Sequence, residues 1–136
     1  MRLAGLALSL GVLGATQACA MAPQAGSSLD GTRWQVTAIN GHATPRTAQY
    51  RVEIAKGRIG GRFGCNSFGG DYRVRGSVLI AGQVAATEMA CPDPNMTFEG
   101  WGFSVLGQPM QMIWGDSGGR LSLTNAAGSI NLERAQ

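Results

Sequence analysis

Apolar and polar residues alternate in short bursts along most of this chain, and glycine-containing gaps separate the bursts. Arg33 to Ile39 sets Trp34, Val36 and Ala38 on one side and stops at Asn40-Gly41. Tyr50 to Ile54 alternates cleanly, with Tyr50, Val52 and Ile54 inward and Arg51 and Glu53 outward; Ala55-Lys56-Gly57 then turns the chain into Arg58 to Phe63. A period of two is that of a strand with one buried face. The same pattern predicts strands at Asp71–Val74, Val78–Ile80, Val84–Met89, Met110–Trp114, Arg120–Leu123 and Ser129–Leu132, with Asn125–Gly128 turning the last pair. Short, frequent strands joined by glycine turns predict a mainly β (α+β) fold, an antiparallel barrel or sandwich rather than a parallel sheet.

One stretch changes period. Phe98, Trp101 and Val105 recur at spacings of three and four, which predicts a helix with an aromatic face. Asp93 is the expected N-cap and Pro94 the first helical residue, where a missing N–H costs nothing. Gly107 is placed to end the helix and Pro109 forbids its continuation, while Gly100 and Gly102 weaken it, so packing must hold it. Such a helix would cover or plug the open side of a barrel.

The first residues follow another rule. Met1-Arg2 is a positive start, Leu3 to Ala15 an uncharged apolar run, and Ala15, Ala18, Ala20 and Ala22 a small-residue exit. This predicts an export signal over 1–18, too short to span a bilayer comfortably. Cys19 stands where bacterial lipoproteins receive their lipid, after Leu13-Gly14-Ala15-Thr16-Gln17-Ala18, although Thr16 and Gln17 fit that pattern poorly. Ordinary cleavage after Ala18, Ala20 or Ala22 is the alternative. Residues 19–28 read as a linker and 29–136 as one domain. The expected location is the periplasm, either soluble or on the outer membrane through Cys19.

Composition refines this picture. The 21 glycines fit many tight turns and disfavour long helices. The net charge of +3 comes from scattered arginines. Arg51, Arg58, Arg62, Arg73 and Arg75 alternate with apolar residues as a solvated strand face, and no run of like charge points to nucleic acid. Setting Cys19 aside leaves Cys65 and Cys91, which an oxidising compartment joins as one disulfide. Two thiols and a distant His42 fall short of a metal site, and no cofactor is expected.

Three segments in order carry a family resemblance: Gly31-Thr32-Arg33-Trp34; Gly64-Cys65-Asn66, followed by Gly69-Gly70-Asp71-Tyr72; and Thr87-Glu88-Met89-Ala90-Cys91, followed by a helix containing Glu99. Together they resemble the META-domain family, which includes heat-inducible HslJ-type envelope proteins. Gly69 stands where serine is common in that family. The resemblance implies a compact antiparallel barrel-like domain with one helix, often exported or lipid-anchored, and similar in fold to lipid-binding pilot lipoproteins. Fold alone does not carry function. The glycines around Cys65 and Asn66 predict a tight loop, pinned structurally or offering Asn66, Phe68 and Tyr72 to a ligand.

Gly115-Asp116-Ser117-Gly118-Gly119 reproduces the nucleophile signature of chymotrypsin-like proteases. That chemistry needs a base, an orienting carboxylate and an oxyanion hole. His42 is the single histidine and lacks the expected surroundings, so the five residues read as a turn and Ser117 hydrolysis as a remote alternative. The leading expectation is a non-enzymatic, monomeric binding or chaperone-like module whose partner is an envelope protein or a lipid. Trp34, Phe68, Met89, Phe98 and Trp101 are candidates to line a groove. An exposed apolar patch beside the Cys65 loop would instead favour a protein-interaction surface.

Overall fold

The computed structural model describes Leu29–Gln136 together with Gly14. Apart from Gly14, the expected signal (1–18), the Cys19 lipidation site and the linker (19–28) lie outside the described residues.

Among the described residues from Thr32 onward, ten strands and one α-helix follow in chain order: β1 (Thr32–Ile39), β2 (His42–Ala43), β3 (Tyr50–Ala55), β4 (Arg58–Phe63), β5 (Ser67–Arg75), β6 (Val78–Ala81), β7 (Ala85–Ala86), α1 (Asn95–Leu106), β8 (Met110–Gly115), β9 (Arg120–Asn125) and β10 (Gly128–Ala135). Eight of the strands form a closed antiparallel circuit, β1-β3-β4-β5-β6-β8-β9-β10, and β10 returns to β1. The short β2 and β7 hang on β1 and β5. Closure leaves no long free edge. Alternation then sends one side chain in two to the interior, where Trp34, Val36, Tyr50, Val52, Ile54, Phe63, Leu79, Leu121, Leu123 and Ile130 are almost wholly buried. The barrel centre is therefore a side-chain core and not a ligand chamber.

Four local expectations are corrected. Ala38 does not share the inward side of Trp34 and Val36: the pairing with β10 slips between Val36 and Ala38, and Ile39 turns inward instead. β5 starts at Ser67, not Asp71, and carries Gly69 and Gly70 inside it. A Cβ on Gly70 would lie 2.9 Å from the Gln83 carbonyl oxygen, so this glycine admits a close backbone approach rather than making a turn. The expected strand Val84–Met89 shrinks to Ala85–Ala86. Pro94, not Asp93, caps α1, with no side-chain cap bond; the Asp93 carboxylate accepts from the Thr97 hydroxyl at 3.0 Å.

Helix α1 covers one end of the core through Phe98, Gly102, Val105 and Leu106. At Gly102 an added Cβ would sit 2.3 Å from the Phe63 ring, so the helix rests directly on that ring. The protease-like pentapeptide is a turn, as its glycines suggest: Asp116–Gly118 form one 3-10 turn between β8 and β9.

Candidate functional site

The residues that carry the chemistry gather beneath and beside α1, and the backbone brings them there. Gly64, at φ 153°, leads the chain out of β4 so close to the helix that a Cβ would meet Asn95 Cβ and Glu99 Oε1, each at 3.0 Å. Asn66 therefore enters the barrel wall directly opposite Glu99. Its backbone N–H donates to Glu99 Oε1 at 2.6 Å and its Nδ2 to Glu99 Oε2 at 2.8 Å. Nδ2 also donates to the Met89 carbonyl at 3.0 Å. Asn66 Oδ1 accepts from Met89 N–H at 2.8 Å and from the Thr87 hydroxyl at 2.9 Å. Both residues are buried, and every donor and acceptor of the Asn66 amide is used. A buried carboxylate is tolerable on these terms, because charge-assisted donors replace its water.

This cluster clamps segment 87–91, which belongs to no strand, to the barrel and to α1. At its start Thr87 also exchanges bonds with Ser67, its N–H donating to the Ser67 carbonyl at 3.0 Å and its hydroxyl accepting from the Ser67 N–H at 3.1 Å. The Cys65–Cys91 disulfide closes the same join covalently, across 26 residues of sequence. The two sulfurs and a Glu99 oxygen lie within 4.8 Å of one another. With the sulfurs bonded together and both Glu99 oxygens accepting from Asn66, the trio offers no free donor set for a cation.

Under the helix, Phe63, Phe68 and Phe103 form an aromatic group, with Phe63 stacked on Phe68 at 4.8 Å. Phe98 meets Tyr50 edge-on at 5.6 Å, and the Tyr50 hydroxyl donates to Asn95 Oδ1. Burial, and then the Glu99 charge, raise the Tyr50 pKa above the usual phenol value.

On the solvent side of the clamp, a groove of about 390 Å³ runs between α1 and segment 87–90. Met89 and Met96 stand over it, 54 % and 43 % exposed, with Gly100 and Phe103 as its floor. It continues past Glu88 and Phe103 into a second recess of about 390 Å³ against Val84, Ala86 and Leu106. Among the described residues Glu88 is the one charged residue on the rim of both; Glu99 faces the first but is consumed by Asn66. A third recess, of about 430 Å³ on the outer face of β8–β10, is bordered by Arg46, Arg120 and Glu133. There the charges answer each other: Arg46 bonds Glu133 at 3.0 Å and holds its carboxyl below the usual range, and Arg120 pairs with Asp116 at 2.9 Å.

The structure separates the residues that the sequence grouped. Of the proposed groove set, Met89 lines the groove, whereas Trp34, Phe68 and Phe98 are buried in the core and Trp101 is half-buried, its ring tilted against His42 at 5.0 Å between centroids. The proposed loop set divides likewise. Asn66 and Phe68 are buried, and Tyr72 lies further along β5 with its hydroxyl donating to Asp30 at 3.0 Å. Ser117 sits in the β8–β9 turn and His42 in β2, and no hydrogen bond joins them among the described residues. The aromatic periodicity alone does not single out Met96 and Phe103, although with Gly100 they repeat at helical spacings of four and three. The sequence marks Glu99 only as a helix residue, since its partner stands 33 positions away.

The META domain matches residues 27–135. The chain belongs to the META-domain family. Two of its three recognisable segments build the clamp: Gly64-Cys65-Asn66, and Thr87 to Cys91 with the Glu99 of the following helix; the third, Gly31–Trp34, opens β1. Among solved structures, an NMR structure of a protein from Burkholderia xenovorans is similar over 92 % of this chain and 99 % of that one, at 21 % identity and a TM-score of 0.66. A second NMR structure covers 79 % of this chain and 92 % of its own, at 20 % identity and a TM-score of 0.68. At such identities the likeness extends to the fold. No curated protein matches the META chain.

Proposed function

We propose that this META domain is a non-enzymatic binding module of the cell envelope that grips an apolar segment of a partner protein in the groove between α1 and segment 87–90. The observation that carries the reading is the pair Met89 and Met96, two large apolar side chains left in solvent above a rigidly clamped base. Exposed methionines over an apolar floor suit variable apolar ligands, because the thioether is flexible and polarisable. The rim charge selects the class of occupant. Glu88 would repel the headgroup of an anionic lipid and attract a lysine or arginine flanking an apolar peptide stretch. The filled barrel interior also argues against a lipid held within it.

The test uses methyl-labelled methionine in the full chain and two peptides, an apolar decamer bearing one lysine and the same peptide bearing glutamate. The lysine peptide should shift the Met89 and Met96 methyl signals while leaving those of the buried Met110 and Met112 in place. Met96→Glu should abolish the shift at Met89. Equal response to both peptides, or binding that survives Met96→Glu, would defeat the reading.

A further inference from the structure

The outer face of β3, β4 and β5 has a charge pattern that the groove does not use. Alternation turns Arg51 and Glu53 outward on β3, Arg58 and Arg62 on β4, and Asp71, Arg73 and Arg75 on β5. Five arginines against two carboxylates leave +3 on this one face, equal to the formal charge of the whole chain. Register sharpens the pattern. Arg51 stands directly opposite Arg62, which in turn stands opposite Ser67.

Like charges facing each other across a ladder repel. Arg51 is relieved by Glu53 at 3.4 Å and by the Ala48 carbonyl at 2.6 Å, and Arg58 by Asp71 at 2.9 Å. Arg62 has no ion pair among the described residues, and its buried Nε donates to no described group. Beside this pair lies a shallow trough of about 310 Å³ bordered by Arg51, Glu53 and Arg58 and floored at Gly60 and Gly69, with Arg62 outside its lining. An oxyanion seated over the facing Arg51 and Arg62, rather than in the trough beside Glu53, would meet the forked donors of two guanidinium groups, which match phosphate geometry. The patch is larger than one small anion. It crosses three strands, about 10 Å at the usual interstrand spacing, and runs along β5 for about 25 Å.

We propose that this face docks on a membrane surface rich in anionic phospholipid headgroups, with Arg51 and Arg62 sharing one headgroup phosphate. The inference is independent of the peptide groove, since it uses other strands and the opposite sign of charge. Surface attraction of this kind contributes roughly a fivefold gain in partitioning per arginine and fades with salt.

The experiment is flotation of the full chain with vesicles of pure phosphatidylcholine and of phosphatidylcholine mixed with phosphatidylglycerol. The ratio of the two partition coefficients cancels any apolar or lipid anchor in the N-terminal residues. That ratio should be well above one at low salt and fall as salt rises. Arg51→Gln with Arg62→Gln should lower it by about 25-fold at the per-arginine increment above, without lowering the melting temperature. Arg120→Gln, across the barrel on β9, should leave it unchanged. If the double variant folds poorly, Arg73→Gln with Arg75→Gln gives the same reading from the far end of the patch. The proposal is overturned by a ratio near one, by a ratio insensitive to both double variants, or by release with inorganic phosphate at constant ionic strength. Tighter binding to duplex DNA than to anionic vesicles would likewise overturn it.

Discussion

Replacing Asn66 by alanine tests the clamp at its centre. The substitution keeps the backbone N–H to Glu99 but removes the side-chain bond to Glu99 Oε2 and those to Met89 and Thr87. A net hydrogen bond contributes about 1 kcal/mol, and one to a buried charge about 2. The four lost bonds would sum to about 5 kcal/mol, but water can reach the partly exposed 87–89 side and recover some of it. The expected loss is about 3–4 kcal/mol, a large share of the roughly 5–15 kcal/mol that holds a small domain together. The Cys65–Cys91 disulfide remains, so the loop stays tethered while losing its register. Urea unfolding followed by tryptophan fluorescence measures the loss, and hydrogen exchange at the Met89 amide locates it. A destabilisation below about 1 kcal/mol, or an unchanged Met89 exchange rate, would refute the claim that Asn66 holds this segment.

Other consequences are equally direct. The chain has two tyrosines, and both pKa values are raised, Tyr50 by burial and then the Glu99 charge, Tyr72 by burial and then its bond to Asp30. The folded state therefore holds these phenols protonated more tightly than the unfolded chain. Their contribution is fully present below about pH 10 and is lost as pH rises through the folded values. Phenolate absorbance should appear later in the native protein than in urea, and stability should fall across that alkaline range; coincident titrations would contradict the burial argument. On α1, Gly102→Ala should destabilise by about 1–3 kcal/mol through overpacking on Phe63, despite alanine's better helix propensity. Gly100→Ala, with nothing within 4 Å of the new Cβ, should instead stabilise by about 0.5–1 kcal/mol. Thermal melts that rank the two substitutions the other way would show that α1 does not rest on Phe63 as described.

What could be read from the sequence was local. A period of two is a property of neighbouring residues, so β3, β4, β8 and β9 were placed nearly to the residue. The tight-turn residues at Asn40-Gly41 and Gly115–Gly119 marked their turns, and the family segments pointed to the barrel. Gly69 and Gly70 suggest a turn because glycine signals both a turn and a close approach, and at Gly70 only the presence of Gln83 against β5 distinguishes the two. Asp93 misled because a good cap residue still needs the backbone geometry that Pro94 took over.

Long-range pairing belonged to the tertiary structure alone. Nothing within a few residues of Glu99 says that it will be buried; Asn66, brought in by β5 and by a glycine that lets the chain pass under α1, makes that burial affordable. The same clamp lifts Met89 beside Met96 and thereby creates an apolar groove from two segments that look unrelated in sequence. Alternation showed that Arg51 and Arg62 would point to solvent, but strand register made them face each other. Periodicity can assign a side chain to a face, because that depends on local geometry. Which side chains meet depends on closure of the barrel, which couples residues through space and not along the chain.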